Sequence, residues 1–476
     1  MRFGFWFDYD QTYTFVALSR ELLRRAQASR ISGFVINDRY WQHALNHLPA
    51  GSGIVRFYDL LAEALTYKPS ASELAEFRQF DERLNLMRVA YSDRHLAKFS
   101  HDQIIAIFIF LARKFQDYIR REQPDVFVFN CIASQYAHLF YIILIEEQVR
   151  VVVPTAYGVE DFVYMADNPY LDAEDIWQTY QRYQKGEELP NPAFMKWAEN
   201  FISRIRESRP AYSNAAVGLE QNKFRLPGPR ATIRYLYNHL RYYRNDPTLP
   251  SVREKVAKIF WLKRNRAASR RLFVNYESIK GRDFIFFPLH YEPEITTLII
   301  SQYNQCSVID IVARQMPATW KLVVKEHPAM IGQRSYRFFA EMKRRYPNVV
   351  LIDPDVSAYR LASDARAVLT LNGTITLEAL IIGTPAIYLS RSRFGGFGLG
   401  TFTQDLINFG NVLKQALQKR HSDHDLKLML ASIHQHCHRF EFVEPLGRPS
   451  MLSSTNISTM ADALFRAIAV RGFTPA

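Results

Sequence analysis

Residues 320–328 read WKLVVKEHP, and residues 367–382 read AVLTLNGTITLEALII. Each stretch opens with a short apolar run and continues into a polar loop, which is typical of a buried parallel strand followed by a ligand-binding turn. In the second stretch, Gly373 permits a tight turn into a helix whose first N–H groups are free to bind an anion. Together the two stretches predict a nucleotide-phosphate pocket at the edge of an α/β sheet.

His327 is the leading candidate for a catalytic role in this pocket. Because proline disfavours a helical backbone in the preceding residue, His327 should be extended at the carboxyl end of its strand. An imidazole there can donate a hydrogen bond to a phosphate oxygen or protonate a leaving phosphate. Its neighbours Lys325, Glu326 and Pro328 are predicted to belong to the substrate site.

The turn formed by Asn372, Gly373 and Thr374 is the second part of the predicted site. Thr374 can bind a phosphate or simply cap the helix. Glu378, one helical turn later, can accept hydrogen bonds from two ribose hydroxyls, or it can be an ordinary glutamate on the helix surface.

Two other loops belong to the same predicted edge. His290, Glu292 and Glu294 follow the strand 283–287 and are candidate substrate ligands; the alternative is that the segment is only a rigid turn. The glycine-rich segment 391–400 is either a lid over phosphates or a flexible loop.

The first part of the chain offers carboxylates that could deprotonate an acceptor hydroxyl. Asp161 is ranked first and Glu160 second, because a short turn-prone link holds them after the strand Val149–Pro154. Asp10 and Asp8, which follow the first strand, come after them.

The alternation of strands and helices predicts two Rossmann-like α/β domains with parallel sheets that face a central cleft. We expect an N-terminal acceptor domain at 1–200, a basic helical linker at 201–280 and a nucleotide-sugar domain at 281–452. A final helical segment, 453–476, is expected to pack back on the first domain.

Composition limits the partners. The 476 residues carry a net charge of +13, which suggests an anionic partner. From Arg230 to Arg271 there are twelve Lys or Arg against two acids, interleaved with aromatics. This segment is either a set of solvated helix faces or a surface for an anionic acceptor or for lipid headgroups. No nucleic-acid recognition motif is present.

Three widely spaced cysteines give neither a disulfide framework nor a metal-ligand spacing. Ile104–Ala112, the longest uncharged apolar run, falls far short of the ~20 residues that span a bilayer. Asp8 comes too early for a signal peptide. We therefore expect a cytoplasmic protein without a metal or cofactor, peripheral to the inner face of the membrane at most.

The motifs together resemble the capsule polysaccharide biosynthesis glycosyltransferases, a group that includes bacterial β-Kdo transferases. The resemblance is carried by residues 289–297, by 320–328 with Gly332 and Arg334, and by Asn372–Thr374 with 378–380. The family commonly has Gln at the position of Glu292.

This resemblance implies a metal-independent enzyme of the GT-B type with a CMP-activated donor. It implies that His327 acts on the donor phosphate, that Arg334 belongs to the site and that Thr374 and Glu378 hold the nucleotide. It also implies a glycan or lipid-linked acceptor on the first domain. Three alternatives remain: a CDP-glycerol-type glycerophosphotransferase, a UDP-sugar enzyme of the same fold, and a non-catalytic assembly protein.

Overall fold

The computed structural model describes residues 1–84, 86–92, 99–132, 134–208, 230, 233, 236, 237, 241, 252–292, 299–391, 393–442, 445 and 447–470. Two β-sheets organise them, one of seven strands and one of six. The α/β fold class predicted from the sequence is confirmed. None of the helices in these ranges is long and apolar enough to cross a membrane.

The described residues of the first unit, between 1 and 208, form six strands and nine helices. In chain order they are β1 (Arg2–Phe7), α1 (Gln11–Arg24), β2 (Arg30–Val35), α2 (Asp38–His47), β3 (Gly53–Arg56), α3 (Phe57–Ala64), α4 (Ala71–Leu84), α5 (Leu86–Ser92), α6 (His101–Glu122), β4 (Val126–Phe129), α7 (Gln135–Glu146), β5 (Arg150–Ala156), β6 (Phe162–Ala166), α8 (Glu174–Lys185) and α9 (Pro192–Ser208).

A basic helix, α10 (Val252–Ser269), precedes the second unit. The elements that follow are β7 (Phe284–Pro288), α11 (Gln305–Gln315), β8 (Lys321–Lys325), α12 (Tyr336–Arg345), β9 (Val349–Ile352), α13 (Ala358–Asp364), β10 (Ala367–Thr370), α14 (Ile375–Ile382), β11 (Ala386–Tyr388), β12 (Thr401–Phe402), α15 (Phe409–Gln418), α16 (Asp423–His436), β13 (His438–Arg439) and α17 (Ser454–Val470).

The first sheet has the order β13-β6-β5-β4-β1-β2-β3, and the second has the order β12-β11-β10-β7-β8-β9. All pairings in the second sheet are parallel, as expected for strands joined by crossover helices. In the first sheet the predicted strands β1, β4 and β5 pair in parallel as expected, whereas β6, which was not predicted, runs antiparallel to both β5 and β13. The short link between β5 and β6 explains the reversal, because Gly158 (φ 88°) and Glu160 (φ 45°) turn the chain straight back.

Alternating side chains along β1 build the two faces of the first sheet. Phe3, Phe5 and Phe7 lie in one buried cluster with residues of α1 and α17, whereas Trp6 lies in another with residues of α6 and α7. A Cβ atom at Gly4 would come within 2.3 Å of the Phe127 ring. Glycine at this position therefore lets the central strands pack under aromatic side chains.

The chain returns to the first unit earlier than the sequence suggests. His438 and Arg439 already pair with β6, before the boundary expected at residue 453. Helix α16 packs on α8 and α9, and α17 packs on α1. A pair of residues this short carries no strand signal of its own, which is why the sequence does not reveal the crossing.

The carboxyl edges of the two sheets face each other. Gly158, in the loop after β5, lies so close to the loop after β10 that an added Cβ would come within 2.8 Å of Thr374 Cγ2. A second contact joins the units where a Cβ at Gly396 would overlap the Trp177 ring. The strand ends that ligands favour in open sheets therefore meet at one junction.

Candidate active site

The strand order β10-β7-β8 brings three of the predicted loops together. These loops begin at Leu289, Glu326 and Leu371, each directly after its strand. The loop after β7 is fixed to α11 because the Gln305 amide donates to the His290 carbonyl oxygen at 3.3 Å. The three loops therefore lie side by side at the carboxyl ends of neighbouring strands.

Arg334 and Glu326 form a buried ion pair at the centre of these loops. Their side chains are 9% and 2% exposed. Arg334 also donates to the His290 carbonyl oxygen at 2.7 Å, and its guanidinium lies over the Phe338 ring. Glu326 Oε1 accepts from the backbone N–H of His327 at 2.7 Å. Both residues, predicted as substrate ligands, thus hold the loops of the site in place.

Burial raises the pKa of Glu326 to about 7, although the neighbouring guanidinium favours the ionised form. Its second oxygen, Oε2, is buried without a hydrogen-bond partner among the described residues. The loop that carries His327 is therefore held by a carboxylate whose ionised form is destabilised by burial.

His290 links the strand ends on the other side of the site. Its Nε2 atom lies 3.0 Å from Thr370 Oγ1, which accepts the backbone N–H of Gly373 at 2.9 Å. Burial, together with the nearby side chains of His327, Arg334 and Arg393, lowers the pKa of His290 to about 3, so its ring is neutral at physiological pH. A neutral imidazole can accept a hydrogen bond from the Thr370 hydroxyl and so stabilise the turn before α14.

His327 is only partly buried, at the start of the short 3-10 helix Pro328–Met330. Its ring makes an edge contact with Tyr291, with centroids 6.3 Å apart. Lys325, the last residue of β8, is 6% exposed, so it belongs to the floor of the site rather than to its surface.

The helix that follows the turn carries the two remaining predicted ligands. Thr374 stands at the N-cap of α14 but makes no side-chain capping bond. Glu378 is 5% exposed, and it has no hydrogen-bond or ion-pair partner among the residues that the structure describes. Burial raises its pKa to about 7. Four residues apart on one helix, Thr374 and Glu378 share a face.

Glu292 is half-buried beside Gln305, and burial raises its pKa. Glu294, another predicted ligand, lies outside the described residues. No group of three or more His, Cys, Asp or Glu side chains arranged to hold a metal occurs in the described part of the chain.

The segment 391–400 is held across the junction between the two units. The Arg393 carbonyl oxygen accepts hydrogen bonds from the Tyr157 hydroxyl and from Trp177 Nε1, both at 2.9 Å. The Arg393 N–H donates to the Leu171 carbonyl oxygen at 2.9 Å. These bonds favour a fixed clamp between the units over a mobile lid.

Asp8 and Asp10 lie at the carboxyl end of β1. Burial and the charge of Asp10 raise the pKa of Asp8 to about 7. Tyr9, between them, has a φ of 40°, and Asp10 occupies the N-cap of α1 without a side-chain capping bond. The turn therefore presents two carboxylates that do not serve to cap the helix.

Asp161 and Glu160, ranked first and second as catalytic bases, are both engaged in ion pairs with arginines. Glu160 forms ion pairs with Arg204 and with Arg439, the latter at 2.7 Å. Asp161 is exposed and lies 3.7 Å from Arg439 Nε. Because both carboxylates contact guanidinium groups of the protein itself, we rank Asp8 and Asp10 above them as candidate bases.

Three residues at the junction were not singled out from the sequence. Gly158 and Arg393 belong to loops whose contact only the folded chain reveals. Asn130 directly follows β4, the neighbour of β1, and is 5% exposed. Asn130 could have been predicted from the sequence, because it is a polar residue that directly follows an apolar strand.

Replacing Arg334 by Met should destabilise the protein by about 3–5 kcal/mol, because Glu326 loses its buried partner. The loss should be larger at pH 8 than at pH 6. Without Arg334 the pKa of Glu326 in the folded state rises further, so the folded protein binds a proton that the unfolded chain has released. Urea unfolding at both pH values measures this difference.

Arg344→Met is the matched control, since Arg344 pairs with Glu341 on the exposed face of α12 and should matter little to stability. The double variant Arg334→Met/Glu326→Gln should regain stability relative to Arg334→Met. Equal losses for Arg334→Met and Arg344→Met would contradict the assigned role of the buried pair.

Protein FixF from Sinorhizobium fredii is 28% identical over 147 residues, which cover 30% of this chain and 33% of FixF. The chain thus aligns with about one third of this relative.

Two solved structures from Thermosulfurimonas dismutans also match. The KpsC β-Kdo 2,7 transferase is 12% identical, with a TM-score of 0.37 over 78% of this chain and 98% of that one. The KpsC β-Kdo 2,4 transferase is 13% identical, with a TM-score of 0.40 over 72% and 88%.

The family described as Capsule polysaccharide biosynthesis protein matches residues 249–440. This range contains the loops of His290, His327 and Thr374 and the Arg334–Glu326 pair, but it excludes Asp8 and Asp10. The resemblance read from the sequence is therefore confirmed over residues 249–440, which are similar to the capsule polysaccharide biosynthesis proteins.

Proposed function

We propose that the protein is a glycosyltransferase that moves Kdo or a related acidic sugar from a CMP-linked donor to a glycan or lipid-linked acceptor. The observation that carries the proposal is Glu378, a buried carboxylate without a partner in the described chain, one turn beyond the N-cap of α14. Such a group is stabilised by hydrogen bonds from a ligand. The two hydroxyls of a ribose are suitable donors.

The donor phosphate belongs at the N-terminus of α14. Free N–H groups and the helix dipole there favour an anion. His327 can hydrogen-bond to the same phosphate or donate a proton as CMP leaves. His290 is neutral and therefore adds no charge to this pocket. Its proposed role is to hold the turn that precedes α14.

The acceptor faces the edge of the first sheet. As its hydroxyl oxygen bonds to the anomeric carbon, its proton passes to the Asp8 carboxylate and the bond from the sugar to CMP breaks. A pKa of about 7 suits this role, because Asp8 is then both ionised in part and basic enough to take the proton.

A nucleotide panel tests the donor site. CMP should raise the melting temperature more than UDP or GDP, since a ligand at a hundred times its dissociation constant stabilises by about 2.7 kcal/mol. Glu378→Gln should weaken the CMP shift, and Glu341→Gln on an exposed helix face should leave it intact. A shift with UDP alone would favour a UDP-sugar enzyme, and no shift with any nucleotide would refute the proposal.

CMP-Kdo and CDP-glycerol would both release CMP, so the nucleotide panel does not distinguish a sugar transferase from a glycerophosphotransferase. Transfer assays with each donor do distinguish these two enzyme classes. His327→Ala should keep the fold and the melting temperature but lose most transfer, by about a hundredfold or more, as expected for the loss of a positioned proton donor. His101→Ala, on an exposed helix start, is the control. Unchanged turnover in His327→Ala would exclude the catalytic role.

Asp8→Asn should abolish most transfer and at the same time stabilise the fold above neutral pH. In the wild type, the folded state holds a proton on Asp8 up to a pKa of about 7 that the unfolded state releases near 3.8, so stability falls as pH rises between these values. The variant lacks this loss. Its melting temperature relative to the wild type should therefore rise from pH 5 to pH 8.

The wild-type kcat/KM should rise with pH through about 7 as Asp8 ionises. Asp161→Asn should retain this profile, since its carboxylate lies beside Arg439. If Asp161→Asn rather than Asp8→Asn loses activity, the assignment of the base is wrong.

A further inference from the structure

Helix α10 presents a face that the proposed chemistry does not use. Its inner side is formed by Leu262, Asn265 and Ser269, all buried. On the opposite side, Val256 and Phe260 are 45% and 65% exposed, four residues apart, so that both project from one stripe. Val256 and Phe260 therefore give the outer side of α10 an exposed apolar stripe.

Basic residues flank this stripe. Arg253, Lys263 and Arg264 are exposed at positions that recur on the same side of the helix. Residues 252–271 contain eight Lys or Arg and one acid. Trp261 borders the face and is 37% exposed. Apolar side chains within a basic rim are the composition of helices that lie in the surface of an anionic bilayer.

We infer that the outer face of α10 docks on an anionic lipid surface, with Phe260 and Val256 in the interface and Arg253, Lys263 and Arg264 against the headgroups. A soluble polyanion would account for the basic rim alone, whereas the apolar stripe requires a partner with an apolar interior. The inference deepens the proposed function, on which it rests for the lipid-linked acceptor.

The inner face of α10 ties this surface to the active site. A Cβ at Gly332 would lie 2.7 Å from the Leu262 carbonyl oxygen, and Asn265 donates to the Gly332 carbonyl oxygen at 3.4 Å. Ser269 and Glu326 line one small cavity between the helix and the loop that carries His327. A bilayer bound at the outer face therefore lies one helix diameter from that loop, about 10 Å.

Sedimentation of the full chain with vesicles tests the inference. Binding to phosphatidylcholine vesicles that contain phosphatidylglycerol should exceed binding to phosphatidylcholine alone and should weaken as salt rises, since exposed charges are screened over ~8–10 Å. Val256→Ser/Phe260→Ser should weaken binding about tenfold or more, because apolar area no longer enters the interface. Lys263→Ser/Arg264→Ser should reduce the preference for the anionic lipid.

Matched controls replace exposed residues elsewhere, and the apolar ones are more exposed than Val256 and Phe260. Leu189→Ser/Ile407→Ser removes two apolar side chains that are 85% and 81% exposed, and Arg24→Ser/Arg120→Ser removes two exposed cations. Both should bind vesicles like the wild type. Equal binding by Val256→Ser/Phe260→Ser and the wild type would overturn the inference. So would tight binding of a soluble anionic polysaccharide that competes fully with the vesicles and is indifferent to Phe260.

The CMP melting shift, measured on the same variants, separates this inference from the proposed function. A chain that binds vesicles but no CMP retains the docking surface and loses the transferase. A chain that binds CMP but no vesicles supports the nucleotide site and overturns the docking inference.

Discussion

The buried ion pair between Arg334 and Glu326 is the interaction on which the candidate site depends. The guanidinium reaches the His290 carbonyl oxygen, and the carboxylate receives the His327 N–H, so one pair fixes the loops after two neighbouring strands. Removing either partner leaves a charge in a poorly hydrated place, which costs more than the loss of an exposed pair. The position of His327 therefore depends on the buried Arg334–Glu326 ion pair, to which its backbone N–H is bound.

The second constraint is the close approach of the two sheets. Gly158 and Thr374 touch across the junction, and the Arg393 carbonyl oxygen accepts two hydrogen bonds from the first unit. These contacts place the N-terminus of α14 opposite the unit that carries Asp8 and Asp10. A nucleotide at one edge and an acceptor at the other can then share one space.

The sequence predicts the strands and the loops of the second unit well, because short apolar runs that end in His-Pro or Asn-Gly-Thr signal both the strand and its polar end. It predicts less where function depends on long-range contacts. Asp161 looks like a base until Arg439, distant in sequence, pairs with it. Arg334 and Glu326 look like ligands until their mutual pairing is seen, since no local pattern distinguishes a ligand from a residue that supports one.

Three site carboxylates, Asp8, Glu326 and Glu378, share a pKa of about 7, and the groups around them differ. Glu326 pairs with Arg334, which is always charged, so its carboxylate is neutralised within the protein rather than by a ligand. Asp8 faces the like charge of Asp10, which favours proton uptake and hence action as a base. Glu378 faces no charge that affects it, and burial alone raises its pKa. A carboxylate in that condition gains most when a ligand supplies the hydrogen-bond donors that the described chain does not, which is why the nucleotide ribose is assigned to it.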